Sequence, residues 1–320
     1  MNGSRKKFFQ HDNIGYLFVL PALIFMVALI GYPIISNFIL SFQDVTAMTM
    51  NAANKDFVGF DNYIKLLNDE VLIKSIFNTI LFTVACIIVQ FVIGFALALF
   101  FNKKFTFAKP IRGLMMVSWM VPITITALMY KFMFSTNVGG VINYMLQSLH
   151  IIDAPIDWLT SPVSAFVALV IANIWIGIPF NMILLSTGLT TLPKDVYESS
   201  SIDGGANKIQ QFFKITLPML RPTIEAVLIL GLIYTFKVFD LVYVMTKGGP
   251  SNSTQVLSTY SYKLSFDLFK FSEGATVANI LFIILFVVSL LYITGTRKGG
   301  CLRWKTQKYY TIKAKPAQIE

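Results

Sequence analysis

Charge is scarce in this sequence. Asp, Glu, Lys and Arg make up 13% of the 320 residues while 55% are hydrophobic, and the mean hydropathy is +0.67. Soluble domains carry roughly 25% charged residues, so the composition excludes that class and points to an integral membrane protein. Histidine and cysteine are rarer still, at two each. His150 is a lone histidine at the end of a connection and His11 lies in the N-terminal tail, so no metal site is expected. Cys86 falls in an apolar run and Cys301 in the basic C-terminal stretch, which excludes a disulfide framework. The sequence also lacks a G-x-x-x-x-G-K-S/T phosphate loop, H-E-x-x-H and G-x-S-x-G. Nucleotide hydrolysis and recognisable catalytic chemistry are thereby excluded from this chain. Long Gly/Ser or Pro-rich linkers and internal repeats are missing too, so no soluble-type domain boundary is expected.

What the sequence has instead is long uncharged runs. Residues 13–43, 75–102, 113–130, 158–193 and 274–296 contain no Asp, Glu, Lys or Arg, and a sixth run, 222–246, contains only Glu225, Lys237 and Asp240. About 20 helical residues cross the hydrocarbon, so six spans are expected, the third being the shortest. The first run is too long for the h-region of a signal peptide and Pro33 interrupts it, so it reads as a retained span. Basic residues set the orientation. Eighteen of them lie in the N-terminal tail, the 102–113 and 189–221 loops and the C-terminal tail, against six in the other loops and Lys131 just past the third run. Both termini and the 189–221 loop are therefore expected in the cytoplasm. The formal net charge of +10 is then a topology signal with some attraction to anionic lipid, not a nucleic-acid footprint.

Two connections on the opposite side have helical patterns. Phe60, Tyr63, Ile64 and Leu67 follow the period of an amphipathic surface helix, with a solvated connector as the alternative. Gly139-Gly140 precedes an apolar stripe of Val141, Ile142, Met145, Leu146 and Leu149 that fits a short interfacial helix. The basic stretch after the last span reads as a disordered or lipid-bound tail.

The most informative segment is Tyr197–Pro222, polar and broken by glycine between two apolar runs. Pro193, Asp195 and Glu198 suit a helix start. Gly204 and Gly205 suit its end. A second helix is expected from about Asn207, with Ile209, Phe212, Phe213 and Thr216 on one stripe, ending before Pro218.

This segment resembles the EAA loop of binding-protein-dependent ABC importer permeases, whose pattern is E-A-A, then a glycine, then I-x-L-P. Here it reads Glu198-Ser199-Ser200, Gly204 and Ile215-Thr216-Leu217-Pro218. Serines replace both alanines, and Gly204-Gly205 adds one residue before I-x-L-P. Leu20-Pro21, Tyr32-Pro33, Ser41-Phe42, the FVGFDNY stretch at 57–63, Trp175-x-x-x-Pro179-Phe180, Phe239-Asp240, Thr246–Pro250 and Tyr260 resemble the sugar permeases of the maltose and glycerol-phosphate type. The likeness covers about residues 14–294.

The resemblance implies an all-α integral membrane protein, a type I ABC importer transmembrane domain. It implies six transmembrane helices and a cytoplasmic coupling helix-turn-helix at 193–218. The expected organisation is a cytoplasmic tail at 1–13, the transmembrane domain at 14–294 and a basic cytoplasmic tail at 295–320. It further implies a bacterial inner membrane location, a second permease subunit, two ATPase subunits that bind the ATP and Mg, an extracellular solute-binding protein, and a sugar as solute. No cofactor is expected in this chain.

Carried over by position, Tyr197, Glu198, Ser199, Ser200, Asp203, Gly204, Gly205, Ile215, Leu217 and Pro218 are the ATPase-coupling residues. Asn173, Gly177 and Phe180 of span four, with Gly231, Tyr234, Thr235 and Val238 of span five, are the substrate path. The latter four share a face at i, i+3, i+4 and i+7. Packing against a partner permease is the alternative role for these seven. Lys237 and Asp240, three apart, read as an ion pair or snorkelling groups, with substrate contact as the alternative. Glu225 lies about one turn inside its span. The competing class is an ion-coupled secondary transporter of small solutes, which would be expected to keep several intramembrane carboxylates.

Overall fold

A computed structural model describes residues 11–52, 55–103, 105–136, 140–203 and 205–313. Arg5, Lys6, Lys7, Gly139 and Gly204, which the sequence singles out, lie outside the described residues. Among those described the fold is helical, with one isolated β-bridge, Gln43 to Phe57, and no strand. Five helices among the described residues are long and apolar enough to cross a membrane, and a sharply bent pair passes the same test when its two helices are taken together. The chain divides into two compact units. One runs up to Asp69 and includes Ser261–Ile280; the other is Glu70–Tyr260 with the stretch from Leu281.

In the first unit, α1 (His11–Met26) and α2 (Tyr32–Ser41) form one span through a π-turn at Val27–Gly31. The turn has a cause. Proline has no N–H and its ring crowds the carbonyl four residues back, so a straight α-helix resists it. Here Tyr32 N–H bonds to Val27 O, five residues back, just ahead of Pro33, and the widened turn keeps the chain helical. Then α3 (Asp61–Leu67) follows. It buries Asn62 and Leu66, while Phe60, Ile64 and Leu67 point outward, as a helix lying at an apolar surface requires. Asn62 donates to the carbonyls of Ser41 and Gln43. Asn37 donates to Asn279 Oδ1 at 2.7 Å, and Tyr63 shares a hydrogen with Ser41 Oγ at 2.8 Å, so polar groups in this unit satisfy one another. Glu273 accepts from Lys65 at 2.7 Å, and this bond raises the Lys65 pKa above its ordinary value.

The second unit is built on α4 (Glu70–Asn102). The third span is two helices, α5 (Ala108–Met120) and α6 (Ile123–Met133), bent by 93°. The run expected as the third span, 113–130, is thus broken within its length. Val121 is extended (φ −69°, ψ 131°) because a residue before proline is pushed out of the helical region, and Pro122 then caps α6 with its carbonyl. Next come α7 (Val141–Ser148) and the long α8 (Pro162–Thr190). After the pair α9 (Lys194–Asp203) and α10 (Lys208–Gln211), a π-turn at Phe212–Thr216 leads into α11 (Leu217–Phe236). The rest is α12 (Asp240–Met245), α13 (Leu257–Tyr262) and α14 (Phe271–Lys313). The last helix continues to Lys313, so that stretch of the basic tail is helical, which removes the disordered alternative and leaves the lipid-bound one.

Two apolar cores hold this unit. One gathers Phe82, Cys86, Phe134, Ala168, Leu169 and Leu241; the other gathers Phe95, Ala98, Met182, Leu185 and Leu220. Helices α4 and α8 pass through both. Beyond the first core, buried Asn143 ties the 149–158 connection to α7. Its Oδ1 accepts from Ile156 N–H (3.1 Å) and Trp158 Nε1 (2.9 Å), and its Nδ2 donates to Ile156 O (3.0 Å). Asn143→Ala strands these partners and is expected to cost about 2 kcal/mol. A lowered thermal midpoint of the purified chain in lipid nanodiscs checks it.

Candidate functional site

At the level where one core gives way to the other, the second unit contains a cavity of about 420 Å³. This is the size range of small-molecule sites. Asn173, Gly177 and Phe180 of α8 line it, together with Gly231, Tyr234 and Thr235 of α11 and Val238 just beyond. All seven path residues expected from the sequence are therefore on one wall system. Val238 reaches it differently from the expectation, because α11 ends at Phe236 and the residue lies past the helix. The break at 237–239 exposes backbone polar groups, which find partners: Val238 N–H bonds to Thr235 O, Ser258 Oγ donates to Val238 O, and Tyr243 N–H bonds to Phe239 O.

That break also overturns the expected Lys237–Asp240 ion pair. The two residues no longer share a helical face, and no salt bridge joins them. Both line the cavity. Lys237 Nζ sits 5.5 Å from the Tyr234 ring centroid, a cation–π geometry. Glu225 is paired with Arg221 at 2.7 Å, one turn back on α11.

Sequence reading missed Gln90, Trp119 and Asn181, which the fold brings to the same cavity. Trp119 stacks on Phe180 (centroids 5.9 Å, 20°), and Phe180 meets Tyr234 edge-on at 6.0 Å. Buried Gln90 donates through Nε2 to Asn173 O at 2.8 Å, and Asn181 donates to Gly177 O at 2.8 Å. The two amides are housed by glycines. A Cβ at Gly177 would come within 2.2 Å of the Gln90 amide, and one at Gly94 within 2.6 Å of Asn181 Cβ. Thus Gln90-x-x-x-Gly94 on α4 and Gly177-x-x-x-Asn181 on α8 interlock, each helix giving the other room for an amide. The cavity offers aromatic faces, neutral amides and one exposed charge of each sign, which suits a polar, polyhydroxylated solute.

The second candidate site is the helix pair. Helix α9 begins one residue after Pro193 and ends at the glycines as expected: Gly205 takes φ +55° and Ala206 N–H turns back to Ser200 O. Asp203 closes α9, and Gly204 is outside the described residues. A reciprocal capping box starts α10, Gln210 N–H to Asn207 Oδ1 and Asn207 N–H to Gln210 Oε1. The expected end before Pro218 does not occur. Leu217 N–H bonds to Phe212 O, five residues back, and the helix continues, so Lys208–Phe236 is one span. Ile215, Leu217 and Pro218 therefore lie inside a continuous rod and not at a joint. The expected stripe splits in two. Phe212 packs on Phe95 and Thr216 is buried, whereas Ile209 and Phe213 are exposed with Ile202. Tyr197, Glu198, Ser201, Ile202 and Gln211 line a shallow groove of about 480 Å³, and Ser199 faces out beside it.

Residues 90–295 match the family described as binding-protein-dependent transport system inner membrane component. The chain is 32% identical over 293 residues to the trehalose/maltose transport system permease protein of Thermococcus litoralis, covering 91% of this chain and 96% of that one. It is 32% identical to the lactose transport system permease protein of Rhizobium radiobacter, covering 90% of this chain and 95% of the relative. Among solved structures, a bacterial alginate ABC transporter in complex with its alginate pentasaccharide-bound periplasmic protein has a chain similar in fold, at TM-score 0.77 and 23% identity. The match covers 91% of this chain and 96% of that one.

Gly94, Gly177 and Gly231 should respond differently to alanine. At Gly94 the new Cβ meets backbone as well as Asn181, so Gly94→Ala is expected to destabilise by about 1–3 kcal/mol. At Gly177 only a movable amide is in the way, so Gly177→Ala should fold but expel Gln90 from its bond to Asn173. Gly231→Ala meets only Ile87 at 4.0 Å and should leave stability unchanged. Thermal midpoints of the three variants, measured side by side, check the order.

Proposed function

This chain belongs to the family of binding-protein-dependent transport system inner membrane components, and we propose that the solute it passes is a sugar or oligosaccharide. Members of the family are permease subunits and not enzymes. The relatives carry saccharide names, and the cavity has the chemistry a sugar ring calls for. Trp119, Phe180 and Tyr234 offer flat faces to its C–H side, while Gln90, Asn173 and Thr235 offer polar groups to its hydroxyls. That meeting of aromatic and neutral polar groups from α4, α5, α8 and α11 is the observation that carries the reading.

In this reading the chain forms half of the path in a cytoplasmic membrane, beside a second permease subunit. Both termini and the α9–α10 pair face the cytoplasm, where the basic loops lie. Two separate ATPase subunits bind the ATP and Mg, and an external solute-binding protein delivers the sugar. The groove at Tyr197, Glu198 and Ile202, flanked by exposed Ile209 and Phe213, receives a surface of one ATPase. Because Lys208–Phe236 is one helix, motion of that surface reaches Gly231, Tyr234 and Thr235 directly. An ion-coupled carrier is disfavoured, since Glu225 is tied to Arg221 and Asp240 is the one other acid in the apolar runs.

Reconstitution with the partner permease, the ATPase and the binding protein tests it. Hydrolysis should rise when the binding protein carries maltose, trehalose or lactose, and Tyr234→Ala should raise the sugar concentration needed for half-maximal uptake about tenfold or more. Stimulation by amino acids but by none of the saccharides would reject the sugar reading. Glu198→Lys, which reverses a charge in the groove, should lower uptake per ATP hydrolysed while the chain remains in the membrane at its parent level.

A further inference from the structure

Gln211 fills the inner corner between α9 and α10. Its Nε2 donates toward three oxygens of α9: Tyr197 O at 3.2 Å, Ser200 Oγ at 3.1 Å and Ser201 Oγ at 2.8 Å. Both serine hydroxyls donate to Tyr197 O at 2.9 Å, which leaves their lone pairs for Gln211. An amide nitrogen has two hydrogens, so three acceptors share them and the site is specific for a donor. Beside it, Tyr197 OH shares a hydrogen with buried Thr216 at 2.9 Å, and Thr216 Oγ1 donates to Gln211 O at 3.3 Å. These bonds cross from α9 to the Lys208–Phe236 rod without passing through the glycine turn. The turn itself is held by the Ala206 N–H bond to Ser200 O, and among the described residues beyond its chain neighbours nothing lies within 4 Å of where a Cβ on Gly205 would be.

We propose that Gln211 is a positioning residue for coupling: it clamps α9 to the rod, so that a push on α9 moves α11 instead of flexing the glycine turn. The proposal rests on the coupling reading above. It also gives a physical reason for one departure from the E-A-A pattern. Ser200 stands where an alanine would remove one of the three acceptors, and Ser201 supplies another.

The donor rule makes the clamp testable in the full complex in liposomes, with Gln211→Leu, Gln211→Glu and Gln211→Lys. Leucine removes the donor, and glutamate sets a carboxylate against Tyr197 O. Lysine restores three N–H donors on a flexible stem. Spin labels at Lys194→Cys and Lys208→Cys, with Cys301→Ser, report whether α9 and α10 hold one separation. ATP hydrolysed per radiolabelled saccharide delivered reports coupling, using whichever of maltose, trehalose or lactose the parent carries. The Leu and Glu variants should broaden the label distances and raise the ATP cost per saccharide about fivefold or more, while the Lys variant stays within about twofold of the parent on both. Parent-like distances in Gln211→Leu, or a Lys variant as impaired as the Leu variant, would overturn the clamp. Distances that obey the donor rule in a parent whose hydrolysis ignores every saccharide would overturn the coupling role, and with it the reading beneath.

Discussion

The larger unit depends on the contact between α4 and α8, where two glycines make room for two amides. In hydrocarbon, helices gain little from apolar burial against one another, so close approach and satisfied polar groups must hold them. Gly94 and Gly177 supply the approach; Gln90 supplies the polar bond between the helices, to Asn173 O, while Asn181 satisfies itself within α8 on Gly177 O. The same four positions fix where the cavity lies, because three of them line it. A substitution that fills the glycine space therefore acts on stability and on the cavity together.

The breaks in spans three and five follow from this arrangement. A cavity within a bundle needs its walls to turn aside, and backbone freed by a turn must still find hydrogen-bond partners. At Val121–Pro122 proline causes the turn and its carbonyl caps the next helix. At Lys237–Phe239 no proline or glycine is present, and Ser258, twenty residues on, satisfies the freed Val238 carbonyl. The 29-residue helix Lys208–Phe236, about 43 Å long at 1.5 Å per residue, then joins the cavity wall to the exposed helix pair without a joint.

Legibility in the sequence divided along the same physical line. Features set by local pattern were readable: the apolar runs, the start near Asn207 and the glycine stop. The seven path residues, carried over from a family likeness, do share one cavity. Features set by packing between distant segments were not. Gln90 and Trp119 lie in runs that read simply as apolar spans, and only the fold shows what they face. Asn143 lies between the apolar positions of the 141–149 stripe, where nothing local marks it, yet it organises the connection after it. The third span's bend did leave a sign, Val121-Pro122 inside an uncharged run, and hydropathy alone passed over it. Pro218 was read as a helix end because proline opposes an α-helix; the π-turn before it removes that opposition, as it does before Pro33.

The central claim is that the α9–α10 pair lies on the cytoplasmic side and is covered by a separate ATPase. A cysteine at exposed Ser199, in a chain with Cys301→Ser and Cys86→Ala, probes both points with a membrane-impermeant maleimide. It should react in inside-out vesicles stripped of the ATPase, lose that reactivity when the ATPase is restored, and stay unlabelled in intact cells. Labelling from outside intact cells, or equal labelling with and without the ATPase, would contradict the claim.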